Sequence, residues 1–189
     1  MKVLALLLLA LSFQHPVMSQ NNNSALLARI ELSIAKKEPK WKLAHKGATK
    51  KGDYVSFAWK ARESNVSVFI AFYGTTDKAA NGLKNLPGLF EDTGLKMTIL
   101  PASIPNLGDE NYTWEDFYDR RFKGVAFRKD KVVVKVNAPS IEIAQRFASH
   151  IAEVITANAL VRASYSNPDI KAGSGLQFAK HLVAAKLPR

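Results

Sequence analysis

The stretch that decides the fold is GVAFRKDKVVVKVNAPSIEIAQRF, residues 124–147. Two strand-like runs, 121–128 and 131–137, flank the two-residue loop Lys129-Asp130, which predicts a β-hairpin. Pro139-Ser140 then predicts the start of a helix over residues 140–156. Every second position of the second run is a valine, as expected for a strand that turns one face to a core: Val132, Val134 and Val136. The stretch therefore predicts two antiparallel strands followed by a helix, a ββα unit.

A second ββα unit is predicted in the first half of the chain. Phe57-Ala58-Trp59-Lys60 corresponds to Val125-Ala126-Phe127-Arg128, and a valine-containing second strand follows each tetrapeptide. Thr75 or Thr76 then caps a predicted helix that ends before Pro87. Two such units can place their hairpins side by side in one antiparallel sheet, with both helices on the same face. The alternative is that the order ββα recurs by chance, as it does in many α+β proteins.

Further elements are predicted around these two units. Apolar residues at helical spacing predict a helix over 24–37 that begins at Ser24, and apolar alternation predicts a strand over 95–100. The aromatic and acidic run 111–118 predicts a further strand. Residues 101–108 are predicted to form a loop, because they contain two prolines and an Asn-Leu-Gly turn. We therefore expect an α+β fold with a mainly antiparallel sheet of about six strands and with helices packed on one face.

The first residues predict export. Met1-Lys2 is followed by an uninterrupted apolar run, Val3–Leu11, and then by a more polar segment that ends at Ser19. One cation, a short apolar run and a small residue before the cut are the parts of a secretory signal peptide. The run is too short for a membrane anchor, which needs about 20 apolar residues. We expect residues 1–19 to be cleaved after Ser19, leaving no transmembrane segment in a periplasmic or secreted protein.

Beyond the signal peptide we expect one α+β domain, residues 20–158, followed by a loop and a C-terminal helix in residues 159–189. The chain has no cysteine, which excludes disulfides, thiolate catalysis and zinc–thiolate sites. Its formal net charge of +11 favours anionic partners. The expected partner is an anionic envelope lipid or an acidic polysaccharide. No motif predicts a cofactor, and no known signature predicts sequence-specific recognition of nucleic acid.

The segment Lys36–Lys51 holds seven lysines and one acidic residue, Glu38. Exposed lysines can bind an anionic surface, and a tryptophan among them can settle at a headgroup boundary or stack on a sugar. The candidate binding residues are Lys36, Lys37, Lys40, Trp41, Lys42, Lys46, Lys50 and Lys51. The alternative is a solvated helix end and loop, which is the ordinary location of a charged run.

The densest acidic segment, Asp109–Asp119, interleaves carboxylates with aromatic residues. Two carboxylates across a cleft could hydrolyse a glycosidic bond while aromatic rings stack on the sugar. The candidates for this chemistry are Glu110, Glu115, Asp116 and Asp119. The segment does not match a calcium-binding loop, and no two histidines stand at a metal-ligand spacing, so we predict no metal site. A strand with a solvated acidic edge is the alternative to catalysis.

A third function class is a carrier of a small apolar ligand, because a curved sheet covered by helices can enclose a pocket. Phe57, Trp59 and Phe69 could line such a pocket, although an ordinary core uses the same residues. Since no segment carries a recognised catalytic motif, the sequence favours an exported, non-enzymatic protein that binds an anionic envelope partner. A hydrolase of an envelope glycan and an apolar-ligand carrier are the alternatives.

Overall fold

The computed structural model describes residues 17–49, 52–87, 97–100, 103–116 and 123–166. The strands in these ranges are β1 (Lys42–Ala48), β2 (Tyr54–Ala61), β3 (Ser64–Phe72), β4 (Met97–Leu100), β5 (Glu110–Asp116), β6 (Lys123–Lys129) and β7 (Val132–Ala138). The helices are α1 (Val17–Lys37), α2 (Thr76–Asn85) and α3 (Ile141–Ser166). All seven strands belong to one antiparallel sheet, in the order β1-β2-β3-β7-β6-β5-β4.

The chain divides into two compact units, residues 1–154 and residues 155–189, and α3 continues across the boundary. The sheet, α1, α2 and the first part of α3 belong to the first unit. Most of the predicted signal peptide and most of the predicted C-terminal segment lie outside the described residues. Two helix ends differ from the prediction. α1 begins at Val17, so that Ser24 lies inside the helix instead of capping it, and α3 continues to Ser166 instead of ending near residue 156.

The predicted α+β class and the antiparallel sheet are confirmed, with seven strands in place of about six. The strand that was not predicted is β1, which lies within the basic segment Lys36–Lys51. All its residues are exposed except Gly47, which is half-buried. A strand exposed on both faces has no alternation of apolar and polar residues, so its sequence carries no strand signal. Its conformation follows from hydrogen bonding to β2.

The two faces of the sheet are covered by different helices. The strand register places Trp59 of β2 on the same face as Phe127 of β6. The Phe147 ring of α3 packs on this face, 5.7 Å from the Trp59 ring, so we call it the α3 face. Ala126 lies on the opposite face and clusters with Leu83 of α2, so we call that face the α2 face.

The sequence had led us to expect α2 and α3 on the same face of the sheet. In the structure they lie on opposite faces. The reason is that β6 carries apolar residues on both faces. Phe127 is fully buried on the α3 face, and Ala126 is fully buried on the α2 face. Each face needs its own cover, because apolar surface left in water costs free energy. Helix α2 begins where the sequence predicts, since the Thr75 side chain accepts a hydrogen bond from the Lys78 backbone N–H.

The two halves of the sheet repeat one arrangement. β2 and β3 form one hairpin, β6 and β7 form another, and the hairpins meet at the centre, where Val68 stands opposite Val136. Each hairpin turns at a residue of positive φ, Arg62 at 53° and Asp130 at 52°. The two predicted ββα units thus lie side by side. Each half also has a third, outer strand, β1 in the first half and β5 in the second, and β4 extends the second half further.

Candidate functional site

The acidic segment begins with two carboxylates that are held in ion pairs. Asp109 accepts hydrogen bonds from Lys129 Nζ (2.7 Å), from Arg128 Nη1 (3.0 Å) and from the backbone N–H of Asp130 (2.7 Å). Burial alone would raise the pKa of Asp109, but these hydrogen bonds and the two cations hold it below its usual value. Glu110 accepts from the Arg128 guanidinium at 2.9 and 3.2 Å. Both carboxylates therefore fasten the β6–β7 turn to the start of β5.

The other acidic candidates are not brought together. Glu115 and Asp116 are neighbours on β5, so their side chains point to opposite faces of the sheet. Glu110 and Asp116 share the α2 face, but six strand positions separate them, which is about 20 Å. Glycosidases place their two carboxyl groups about 5–9.5 Å apart. Asp119 lies outside the described residues, and among those that are described no two acidic candidates have the geometry of glycoside hydrolysis.

A buried lysine that sequence reasoning did not single out lies in the middle of the α2 face. Lys135 is 1% exposed, and its Nζ lies 4.7 Å from the ring centroid of Trp114 and 6.0 Å from that of Phe69. Burial lowers the pKa of Lys135 to about 8, while the Asp116 carboxylate acts in the opposite direction. Alternation along β7 does place Lys135 on the face away from Val134, but that face is covered and not solvated. Two aromatic rings thus hold the cation inside the protein.

Two lysines of the basic segment are structural. Lys46 of β1 forms an ion pair with Glu31 of α1 at 2.9 Å, and Lys37 of α1 forms one with Glu153 of α3. These contacts tie α1 to the sheet edge and to α3, so the charges of both lysines are already compensated. Two other candidates lie outside the described residues: Lys50 and Lys51.

Trp41 also belongs to the core instead of the surface. Its side chain is 7% exposed and its ring meets that of Phe147 edge-to-face at 5.6 Å. The backbone N–H of Trp41 donates to the carbonyl of Glu38, which closes the turn between α1 and β1. A tryptophan buried in this way cannot stack on a sugar or enter a headgroup layer, and its role is to fasten the start of β1 to α3.

The lysines that do face solvent include a pair on neighbouring strands. Lys36, Lys40 and Lys42 are exposed and form no ion pair within the described residues. Lys42 stands directly opposite Lys60 of β2, on the α2 face, and Lys60 is likewise exposed with no ion pair in the described part of the chain. Sequence reasoning missed Lys60 because it is an ordinary polar position of an alternating strand. Only the register between β1 and β2 brings it next to Lys42.

The equivalent pair in the second half of the sheet has opposite charges. Lys60 and Arg128 each precede the positive-φ residue of their hairpin by two positions, and both pair with the outer strand of their half. Opposite Arg128 stands Glu110, which forms the ion pair described above at 2.9 Å. Opposite Lys60 stands another cation, Lys42. The first half therefore has a lysine where the second half has a carboxylate.

The described residues offer neither a membrane-spanning helix nor a metal-binding cluster. No described helix is long and apolar enough to cross a membrane. The described ranges also contain no group of three or more His, Cys, Asp or Glu side chains placed to hold a metal ion. Comparison with protein-family models, with curated proteins and with solved structures gives no match. The Lys42–Lys60 pair is therefore the best candidate site on physical grounds.

Proposed function

We propose that this protein is an exported, non-enzymatic binding protein that takes an anionic partner at the Lys42–Lys60 pair. One observation carries the proposal: two exposed lysines face each other across neighbouring strands, at the position where the other half of the sheet has a Glu–Arg ion pair. Like charges directly opposite each other destabilise a sheet. An anion bound between the two lysines would remove that repulsion.

A solvated sheet edge is the simpler explanation for lysines on β1. Exposed edge strands often carry lysine because the charge prevents pairing with another chain. That explanation accounts for Lys42 but not for Lys60, since β2 is paired on both sides and needs no protection. The net charge of +11 adds a general field that attracts anions toward the pair.

The predicted signal peptide favours anions found outside the cytoplasm, namely envelope lipids and acidic polysaccharides, as the partner. The hydrolase alternative gains no support from the structure, because its described carboxylates are engaged in ion pairs or separated. The carrier alternative gains none either, because Phe57 and Trp59 are each 1% exposed and stack on each other at 5.2 Å within the core.

The test is a binding titration of the protein from Gln20 onward against anionic vesicles, an acidic polysaccharide and nucleic acid, from low to physiological salt. We expect one class of partner to remain bound at physiological salt. The double variant Lys42→Gln/Lys60→Gln should weaken this binding about tenfold, as expected when two exposed contacts worth ~0.5–1 kcal/mol each are lost.

The matched control is Lys78→Gln/Lys84→Gln, which removes two exposed charges from α2. If both double variants weakened binding equally, the partner would be responding to net charge and the proposed site would be wrong. If every partner dissociated at physiological salt, the protein would have no anionic partner in these three classes.

A further inference from the structure

The part of the α2 face that surrounds the Lys42–Lys60 pair has no helix on it within the described residues. Helix α2 packs over β6 and β7, where Ala126 and Val133 are buried beneath it. Over β2 and β3, the same face presents half-buried Ser56 and Ser67. We call this area, formed by the α2-face residues of β1, β2 and β3, the open face.

The open face has an aromatic end and a cationic end. Tyr54, at the start of β2, is 37% exposed and stacks on Phe69 of β3, with ring centroids 6.1 Å apart. Lys60, near the end of β2, stands beside Lys42. Both ends lie on one strand face, six residues apart, so they are separated by about 20 Å. Between them lie small or hydroxyl-bearing side chains of β2 and β3, such as Ser56 and Ser67, and the exposed imidazole of His45 on β1.

The second half of the sheet fills the corresponding area with its own side chains. There the Trp114 ring lies over Gly124, so closely that a Cβ on Gly124 would come within 2.5 Å of the indole Nε1. In the first half, Ser56 of β2 takes the position of Gly124, and Gly47 of β1, which stands opposite Ser56, takes the position of Trp114. The first half thus lacks both the tryptophan and the carboxylate with which the second half covers this surface.

We propose that the open face binds a carboxylate-bearing acidic polysaccharide, which lies along β2 from Tyr54 to Lys60. This inference rests on the proposed function and names its partner. The carboxylate of one sugar lies between Lys42 and Lys60 and pairs with both, as the Glu110 carboxylate pairs with Arg128 in the second half. The Tyr54 ring stacks on another sugar at the other end of the open face. Half-buried hydroxyl groups suit a sugar chain better than a lipid surface. No bulky aliphatic side chain of the open face is exposed to enter a bilayer, and Trp41 is buried elsewhere.

The experiment is a titration with oligogalacturonates of increasing length, beside dextran as a neutral polymer, dextran sulfate and vesicles containing anionic phospholipid. We expect affinity to rise with oligomer length until the chain spans the open face, and then to become constant. Tyr54→Ala should weaken binding of the long oligomer about fivefold, as expected from the loss of one aromatic stacking contact. It should leave the affinity for the galacturonate monomer unchanged. Ser56→Tyr, which fills the open face without changing charge, should abolish the length dependence.

The control variant Ala48→Tyr adds the same ring to the exposed edge strand but on the α3 face, and it should bind the long oligomer like the parent protein. If vesicles or dextran sulfate bound more tightly than the oligogalacturonates, and Ser56→Tyr left them bound, a site for a carboxylate-bearing polysaccharide on the open face would be wrong, while the anion-binding function would stand. If the Lys42→Gln/Lys60→Gln variant bound every probe as tightly as the parent, both proposals would fail together.

Discussion

Replacing Lys60 by glutamate should make the protein more stable while it weakens binding. In the folded protein, Lys60 stands opposite Lys42 and neither lysine has an ion pair within the described residues. A glutamate at this position would give the first half the charge arrangement that Glu110 and Arg128 already have in the second. The substitution removes a cross-strand repulsion and adds a cross-strand attraction.

The magnitude follows from these two contributions. An opposite-charge pair across an antiparallel ladder contributes roughly 0.2–1 kcal/mol, and a like-charge pair costs a similar amount. Lys60→Glu should therefore raise the free energy of unfolding by about 1 kcal/mol, which corresponds to a Tm increase of about 3 °C for a domain of this size. Lys60→Gln removes only the repulsion, so its gain should be about half as large.

Urea unfolding of the parent and the two variants, at low salt and near 1 M salt, measures these differences. The gain should shrink at high salt, because the Debye length falls to about 3 Å there and exposed charges no longer interact. In the binding titration, Lys60→Glu should lose the anionic partner. If Lys60→Glu lowered stability at low salt, the two lysines would not repel each other, and the reasoning that links the pair to an anion would be refuted.

Two further predictions concern the other half of the sheet. Because burial lowers the pKa of Lys135 to about 8 from its ordinary 10.5, the unfolded chain binds the proton more tightly than the folded protein, and stability should rise with pH between these values. Urea unfolding should show a gain of about 1 kcal/mol from pH 7 to pH 9, absent in Lys135→Met, and a flat profile in the parent protein would contradict the burial of the charged amine. Gly124→Ala should lower the free energy of unfolding by about 1–3 kcal/mol, because its Cβ would meet the Val136 carbonyl oxygen at 2.2 Å and the Trp114 indole at 2.5 Å. Its control, Ser56→Ala at the equivalent position, should change stability by less than about 0.5 kcal/mol, and equal effects of the two changes would show that Gly124 is not crowded.

The elements with regular patterns could be predicted from sequence. The alternation of β2 and the valines of β7 indicate strands, and Thr75 marks the start of α2. β1 could not be predicted, because every position but Gly47 is exposed and the strand exists only through its pairing with β2. Period-two alternation separates residues into two faces, but it does not tell which layer covers each face. That is why α2 was expected beside α3, and why the burial of Lys135 could not be predicted.

For the candidate site too, the sequence predicts which residues are charged but not which of them are paired or buried. The lysines of residues 36–51 are evident in the sequence, but it does not reveal that Lys46 and Lys37 are paired with glutamates or that Trp41 is buried on Phe147. Lys60 enters the site only through strand register. For the acidic segment, alternation alone could have separated Glu115 from Asp116, since neighbours on a strand face opposite ways.

The central position of the β3–β7 pair has a consequence for how the chain folds. Each hairpin joins strands that are close in sequence, and such hairpins form in about 1–10 μs. The pairing of Val68 with Val136 instead joins distant parts of the chain, so a large loop must close before that contact is made. We expect the two hairpins to form early and independently, and their joining along β3 and β7 to set the folding rate. Substitutions at this seam should then slow folding, whereas substitutions on β1 or β4, the outermost strands, should mainly speed unfolding.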